Sequence, residues 1–336
     1  MITLELEQLI RGQDLTAEQV CSVFEQLTAG KLTEPEIAGF LVALASKGPT
    51  AEELAAAASV MRQRVTRVPI SVEAIDTCGS GGDGVCTFNI STCAAVIAAG
   101  AGAYVAKHGN RTNTRRSGSA EALTALGVNI DADIPTVVKC IEQAHIGFLY
   151  AIRLHPSMKY AAPVRKALAI RTIFNLLGPL TNPAFVQRQI VGVPRSEETE
   201  LVAGALKNLG ARHAMVVHGL EGLCDLSISG PSKVSEVSAE VIRTYEVDPR
   251  DLGIRPSPIE ELLIASPQES ADRIRQILDG KAGPSRDIAA LNAAAALVVA
   301  DKADGLSAGF KLACESIDTG AAKRALGALA AISNGE

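Results

Sequence analysis

The sequence predicts an α/β fold, a small helical unit followed by a larger unit with a mostly parallel central sheet. Two patterns carry this expectation: one helix-starting device recurs three times before residue 70, and short β-branched runs then alternate with Ala-rich helical stretches. The 336 residues, 47% hydrophobic and 21% charged, suffice for one large or two ordinary domains with a sizeable core.

The first seventy residues read as three helices. Thr16 with Gln19, Thr33 with Glu36 and Thr50 with Glu53 each match a capping box, in which hydroxyl and later side chain satisfy each other's backbone donors. Leu15 with Val20, and Leu32 with Ile37, stand where hydrophobic staples close. "IAGFLVALASKG" adds an apolar helical face and a terminal glycine. Beyond "RVPISVEAID", the runs "AYVAK", "IGFLY", "QIVGV" and "HAMVVHG" read as short buried strands, and "STCAAVIAAGAG" and "TELVAGALKNLG" as the helices between them. The Ala-rich tail, from "SRDIAALNAAAALVVADKA" to "KRALGALAAI", reads as helices covering the sheet.

Composition excludes several functions. The net charge of −5 gives no general cationic surface for a nucleic-acid backbone or an anionic membrane, so any phosphate site is local. The start "MITLELEQLIRGQ" has no apolar leader and no run is long enough to span a bilayer, which predicts a cytoplasmic enzyme. Seven cysteines without paired spacing read as reduced thiols, mostly buried, not as metal ligands.

Three segments carry chemistry. In "DTCGSGGDGVCTFNIST" (76–92), Gly79, Gly81 and Gly82 around Ser80 can turn several backbone N–H groups toward one anion, and Ser91 and Thr92 open a helix whose positive end favours phosphate. The segment matches neither GxGxxG nor GxxxxGK[ST], and its alternative is a tight glycine turn capped by Asp83. "VAKHGNRTNTRRSGSA" (105–120) crowds Lys107, His108, Asn110, Arg111, Arg115 and Arg116 beside a strand end, a second anion site whose alternative is a solvated basic loop. In "LHPSMKYAAPVRKALAIRTIFNLLGPLTNP" (154–183), Arg165 and Arg171 fall on a helix-like run after Pro163, "GPLTNP" predicts a rigid turn, and an arginine there is placed to grip a carboxylate.

Together "DTCGSGGDG", "FNIST", "AKHGN", the long 154–183 motif and "LNAAAAL…ESIDTGAA" resemble the anthranilate phosphoribosyltransferase family of tryptophan biosynthesis over essentially the whole chain. The resemblance implies the nucleoside-phosphorylase-like phosphoribosyltransferase fold, with residues 1–70 as helical domain, a further helical contribution near 164–185, and 71–336 as the domain binding phosphoribosyl pyrophosphate. It implies a homodimer built through the helical domains, and transfer of phosphoribose to the amine of anthranilate with Mg²⁺ as cofactor. Phosphoribosyl pyrophosphate would meet Gly79, Ser80, Gly81, Gly82, Asp83, Thr87, Asn89, Ser91, Thr92, Lys107 and Ser119. Anthranilate would sit near His108, Asn110, His155, Arg165 and Pro179, with Arg165 taking the carboxylate. No acid–base residue is implied, because an aromatic amine is already neutral at pH 7; Lys107, Asn110 and Arg165 position the substrates.

The chain departs from the family pattern at three places. The Asp-Glu pair expected for the metal reads Cys224-Asp225, leaving Ser91 and Asp225 as implied Mg²⁺ ligands with Glu221 or water replacing the lost contact. Arg115 and Arg116 stand where small residues are usual, and Ile152 and Arg153 replace a proline-containing sequence. A paralogue with another aromatic acceptor and a non-catalytic nucleic-acid-binding relative are the alternative readings.

Overall fold

The computed structural model describes residues 2–112 and 116–336. Four helices come first: Thr3–Ile10, Ala17–Thr28, Glu34–Lys47 and Ala51–Arg64. All three expected capping boxes form. Each contributes about 1 kcal/mol, and the staple residues Leu15, Val20, Leu32 and Ile37 are buried beside them. The helix Thr3–Ile10 corrects the expectation of three helices. Its N-cap, Ile2, makes no side-chain cap bond, so the device that announces the other helices is missing. Tertiary packing holds it instead, through buried Ile2 and Leu9.

Seven strands follow: β1 Ala74–Gly79, β2 Tyr104–Gly109, β3 Ile146–Tyr150, β4 Arg188–Gly192, β5 His213–Gly219, β6 Ser232–Ser238 and β7 Val241–Val247. They form one sheet of order β3-β2-β1-β4-β5-β6-β7, parallel from β3 through β5, with β6 and β7 antiparallel. The runs that read as strands in the sequence become β2 to β5. The hairpin β6–β7 has no such signal, because its strands are polar and its turn residues, Ala239 and Glu240 at φ of 48° and 64°, carry none of the usual Asn-Gly character.

Helices cover both faces. On one face Ile190, Met215 and Val217 pack under the helices Ile90–Gly100, Pro284–Val299, Leu306–Asp318 and Ala321–Ser333. On the other, Val191, Val193, Ala214 and Val216 join a core containing Phe24, Phe40 and Leu54 of the helical unit together with Val164, Phe174 and Leu177. The alternation of neighbours such as Ile190 and Val191 between two cores is the period-2 signature of a strand buried on both sides. The thiols are all free, but only Cys93, Cys140 and Cys224 are fully buried, fewer than expected. Among the described residues no helix is long and apolar enough to cross a membrane.

From β1 the chain builds outward through β2 and β3, then returns to add β4 and β5 on the other side. The carboxyl ends of β1 and β4, where Gly79 pairs with Gly192, are therefore the topological switch point, the usual ligand crevice of an open parallel sheet.

Candidate active site

The glycine segment lies at that switch point. Gly81, Gly82 and Gly84 take φ of 65°, 85° and 73°, a left-handed conformation that side chains resist. Ser80 N–H donates to Gly192 O at 2.8 Å, and Asp83 accepts from Val85 N (3.1 Å) and from Cys224 N (3.3 Å), which ties the loop to the segment after β5. Among the described residues the N–H groups of Gly81, Gly82 and Gly84 take no partner. The hydroxyls of Ser80 and Thr92 are buried and likewise unpartnered, Thr92 in the first turn of the helix Ile90–Gly100. A bend rich in free donors beside a helix N-terminus has the donor arrangement to cradle an anion.

Lys107 and His108 are neighbours on β2 and therefore point to opposite faces of the sheet. Lys107 is 1% exposed and its ammonium donates to Thr77 O, with Ser91 Oγ at 3.4 Å. Burial pulls its pKa below the ordinary lysine value, against the opposing charges of Asp76 and Asp225. His108 lies on the other face. Its N–H donates to Asp76 Oδ1 (3.0 Å), a fully buried carboxylate that Asn182 also holds at 2.8 Å and whose pKa burial raises. The ring of His108 meets Gly178 O through Nδ1 (3.1 Å) and His155 Nε2 through Nε2 (3.1 Å). Burial holds His108 down to about 3 and His155 to about 4, so both are neutral at pH 7. Gly178 O only accepts, so His108 Nδ1 carries the proton. His108 Nε2 then accepts from His155, and His155 Nδ1 is left as a hydrogen-bond acceptor.

The helix Ile173–Leu180 ends beside this pair, and its last carbonyls are all engaged. Thr181 Oγ1 donates to Leu177 O at 3.0 Å, His108 meets Gly178 O, Gln189 Nε2 donates to Pro179 O at 2.9 Å, and Arg62 Nε donates to Leu180 O at 2.7 Å. A helix terminus leaves these acceptors without intrahelical partners, so four elements are fixed against one another here. Two expectations are corrected. Gly178-Pro179-Leu180 belong to the helix and the turn starts at Thr181. Arg165 and Arg171 do not share a helix, since Ala162–Leu168 stops at Ala169, whose φ is 51°. Arg165 is half-buried with its guanidinium 5.1 Å from the Phe174 ring centre, and burial lowers its pKa.

The remaining sequence-predicted residues lie on the segments that follow β1, β2 and β5. Asn89 Oδ1 accepts from Ser117 and Ser270 (both 2.7 Å), fastening the cradle to two neighbouring segments. Thr87 is buried in a bridge to Leu263. Asn110 is exposed; its Oδ1 accepts from Arg111 N at 2.7 Å and its carbonyl from Ser119 Oγ at 3.3 Å. Glu121 accepts from Thr112 N (3.4 Å) and Gly118 N (3.2 Å), clasping both ends of the basic loop. Arg116 is exposed, and Arg115 lies outside the described residues. Ser91, Thr77, Cys224 and Asp225 line one small cavity of about 10 Å³ under the cradle. Among the described residues no three His, Cys, Asp or Glu side chains gather as a metal cage. Ser91 and Asp225 offer hard oxygen donors to a Mg²⁺ ion that takes most of its ligands from phosphate and water. Glu221 does not line that cavity and accepts from Ser227 Oγ.

Two features go beyond the sequence reading. Arg171 contacts the glycine loop, donating to Gly81 O at 3.0 Å. The other is visible in the sequence as charge segregation: no Asp or Glu occurs between Asp83 and Glu121, or between Glu142 and Glu197, although the chain as a whole is acidic. Lys107, Arg111, Arg116 and Arg165 fall in these stretches, which concentrates positive charge on two segments of a negative molecule, while Arg153 turns away and Arg171 is paired with Glu198.

The description "Glycosyl transferase family, helical bundle domain" fits residues 5–65 and "Glycosyl transferase family, a/b domain" fits residues 71–323. The anthranilate phosphoribosyltransferase of Parvibaculum lavamentivorans is 48% identical over 98% of this chain and 97% of its own length. The chain belongs to the anthranilate phosphoribosyltransferase family. The crystal structure of the Thermus thermophilus member superimposes with a TM-score of 0.93 at 39% identity, covering 98% of this chain and 99% of that one. The Saccharomyces cerevisiae enzyme in complex with PRPP and Mg gives 0.85 at 27% identity, covering 95% and 93%. These relatives favour neither a different acceptor nor a nucleic-acid-binding role. Of the departures from the family pattern, Cys224 is buried at the cradle. Ile152 is exposed, and Arg153 turns away to donate to the carbonyls of Asp131 and Ala132.

Proposed function

We propose that the chain transfers the phosphoribosyl group of phosphoribosyl pyrophosphate to the amine of anthranilate, giving phosphoribosylanthranilate and pyrophosphate in tryptophan biosynthesis. The observation that carries the reading is the opposite facing of Lys107 and His108, which sets a donor-rich bend and a neutral, carbonyl-anchored histidine pair on either side of one strand end. The cradle N–H groups, Ser91, Thr92 and Lys107 hold the pyrophosphate. Ser91 and Asp225 are the residues that would hold Mg²⁺, which when bound would supply positive charge to the leaving pyrophosphate.

Arg165 pairs with the acceptor carboxylate, and its partial burial strengthens that pair. His155 Nδ1, fixed as an acceptor, receives one N–H of the acceptor amine and orients the nitrogen lone pair toward the anomeric carbon. The nitrogen is neutral before attack, so no strong base is required, and alignment with fixed charge supplies the acceleration. The charge segregation draws two anionic substrates into one crevice.

The division at about residue 70 and the assignment of 164–185 to the helical unit belong to the same proposal, supported by Val164, Phe174 and Leu177 in the core of the N-terminal helices. Exposed Leu4, Ile10 and Val42 on those helices suit a homodimer contact. A cytoplasmic setting accords with free thiols throughout. The test is a fluorescence assay of anthranilate consumption with phosphoribosyl pyrophosphate and Mg²⁺. Turnover is expected, and failure with anthranilate but turnover of another aromatic amine overturns the acceptor.

A further inference from the structure

We propose that Arg171 is a positioning residue, a strut that locks the glycine loop in its anion-binding shape from outside the substrate site. The proposal rests on the reading of that loop as the pyrophosphate cradle. Arg171 Nη1 donates to Gly81 O at 3.0 Å, and Nη2 meets both oxygens of Glu198 at 3.2 and 3.3 Å. Glu198 is buried at the start of the helix Glu198–Asn208, which packs on β5 and β6. The planar guanidinium spans the gap between that helix and the loop, which the point charge of lysine cannot do.

The loop needs such a fastener. Three of its four residues from Gly81 to Gly84 are left-handed glycines, so its shape has little intrinsic preference. Ser80 N–H, donating to Gly192 O, holds one end to β4, Cys224 N–H, donating to Asp83, holds the other to the segment after β5, and Arg171 holds the middle, at the carbonyl between the unpartnered N–H groups of Gly81 and Gly82. Orienting that carbonyl toward Arg171 turns the following N–H of Gly82 the opposite way, since the two lie anti across a trans peptide. The site is shaped for this contact: a Cβ on Gly82 would collide with Arg171 Nη1. The residue is also six positions beyond Arg165 in the chain, so one short segment touches the donor loop and carries the acceptor arginine.

The test combines kinetics with a measurement that needs no substrate. Arg171→Ala is expected to raise the KM for phosphoribosyl pyrophosphate about tenfold or more while the anthranilate KM stays within about twofold. Arg171→Lys is expected to recover only part of the loss, and Arg171→Ala combined with Glu198→Gln to be no worse than Arg171→Ala alone. Hydrogen exchange of the ligand-free protein should quicken in the peptide spanning residues 79–86 in Arg171→Ala, with a melting temperature close to wild type. Unchanged exchange and donor KM overturn the strut, as does full additivity with Glu198→Gln. Should Arg171→Ala not fold, Arg171→Lys decides by the same two readings. A wild type inactive with both substrates refutes the proposed reaction, whereas the exchange result stands or falls separately.

Discussion

The two sides of β2 solve opposite problems. On the Lys107 side, donors are left unspent: among the described residues three glycine N–H groups and the Ser80 and Thr92 hydroxyls take no partner, beside a buried ammonium held by Thr77 and Ser91. On the His108 side nearly everything is spent, with Asp76, Asn182, both histidines and the last carbonyls of the helix Ile173–Leu180 bonded to one another. A cradle for a highly charged ligand can leave donors open because the ligand completes them. On the proposed reading, a surface that orients a flat aromatic carboxylate gains more from rigidity, which lowers the entropy cost of ordering it.

The sharpest break of this contrast is Lys107→Met, which keeps the volume and removes the charge. It should lower kcat/KM for phosphoribosyl pyrophosphate about 100-fold or more, equivalent to roughly 3 kcal/mol of transition-state stabilisation, and leave the anthranilate KM near wild type. Steady-state kinetics with each substrate varied in turn measures it, and equal losses for both substrates would mean the two sides are not separate. On the opposite side, Arg165→Ala should raise the anthranilate KM ten- to about 100-fold, since charge-assisted hydrogen bonds contribute about 1.5–3 kcal/mol, with donor binding preserved. A parallel rise in the donor KM refutes its assignment to the carboxylate.

A pH titration sharpens the contrast further. His108 and His155 sit at about 3 and about 4 in the folded chain, below the roughly 6.5 of an unfolded histidine. The unfolded chain therefore binds protons first, and the stability tied to their neutrality is complete above pH of about 6.5 and is lost as pH falls toward those lower values. Melting temperature should drop by several degrees between pH 7 and pH 5, with a shallower slope in His155→Gln; identical slopes exclude the pair as the cause. The smallest expected effect is at the metal position. Cys224→Asp should lower the Mg²⁺ concentration for half activity severalfold by adding a hard oxygen, and an unchanged curve shows that the thiol costs nothing there.

Much of the molecule is legible one residue at a time. Capping boxes, staples and the terminal glycine are local devices whose partners lie within a few residues, so Ala17–Thr28, Glu34–Lys47 and Ala51–Arg64 can be read directly. The glycine bend and Lys107 announce themselves by residue type, since clustered glycines and a lysine on a buried strand are unusual in themselves. The helix Thr3–Ile10 and the hairpin β6–β7 escape for the converse reason, having neither a cap nor a turn signal and owing their form to what they pack against. Arg171 stands out as a cation, yet the sequence places it on a helix with Arg165 whereas it lies between two helices, because the break at Ala169 is a left-handed alanine that no composition rule marks.

What the sequence determined by itself is the set of elements and the chemistry present, since hydrophobic period, capping and residue type act over short distances and need no partner from afar. What only the tertiary structure decided is which side chains meet. Strand order put Gly79 beside Gly192, alternation along β2 sent Lys107 and His108 to opposite faces, and a helix end far along the chain set which nitrogen of each histidine carries its proton. Those pairings join residues separated by tens to more than a hundred positions, and their strength depends on a low-dielectric interior, which exists only once the chain has closed on itself.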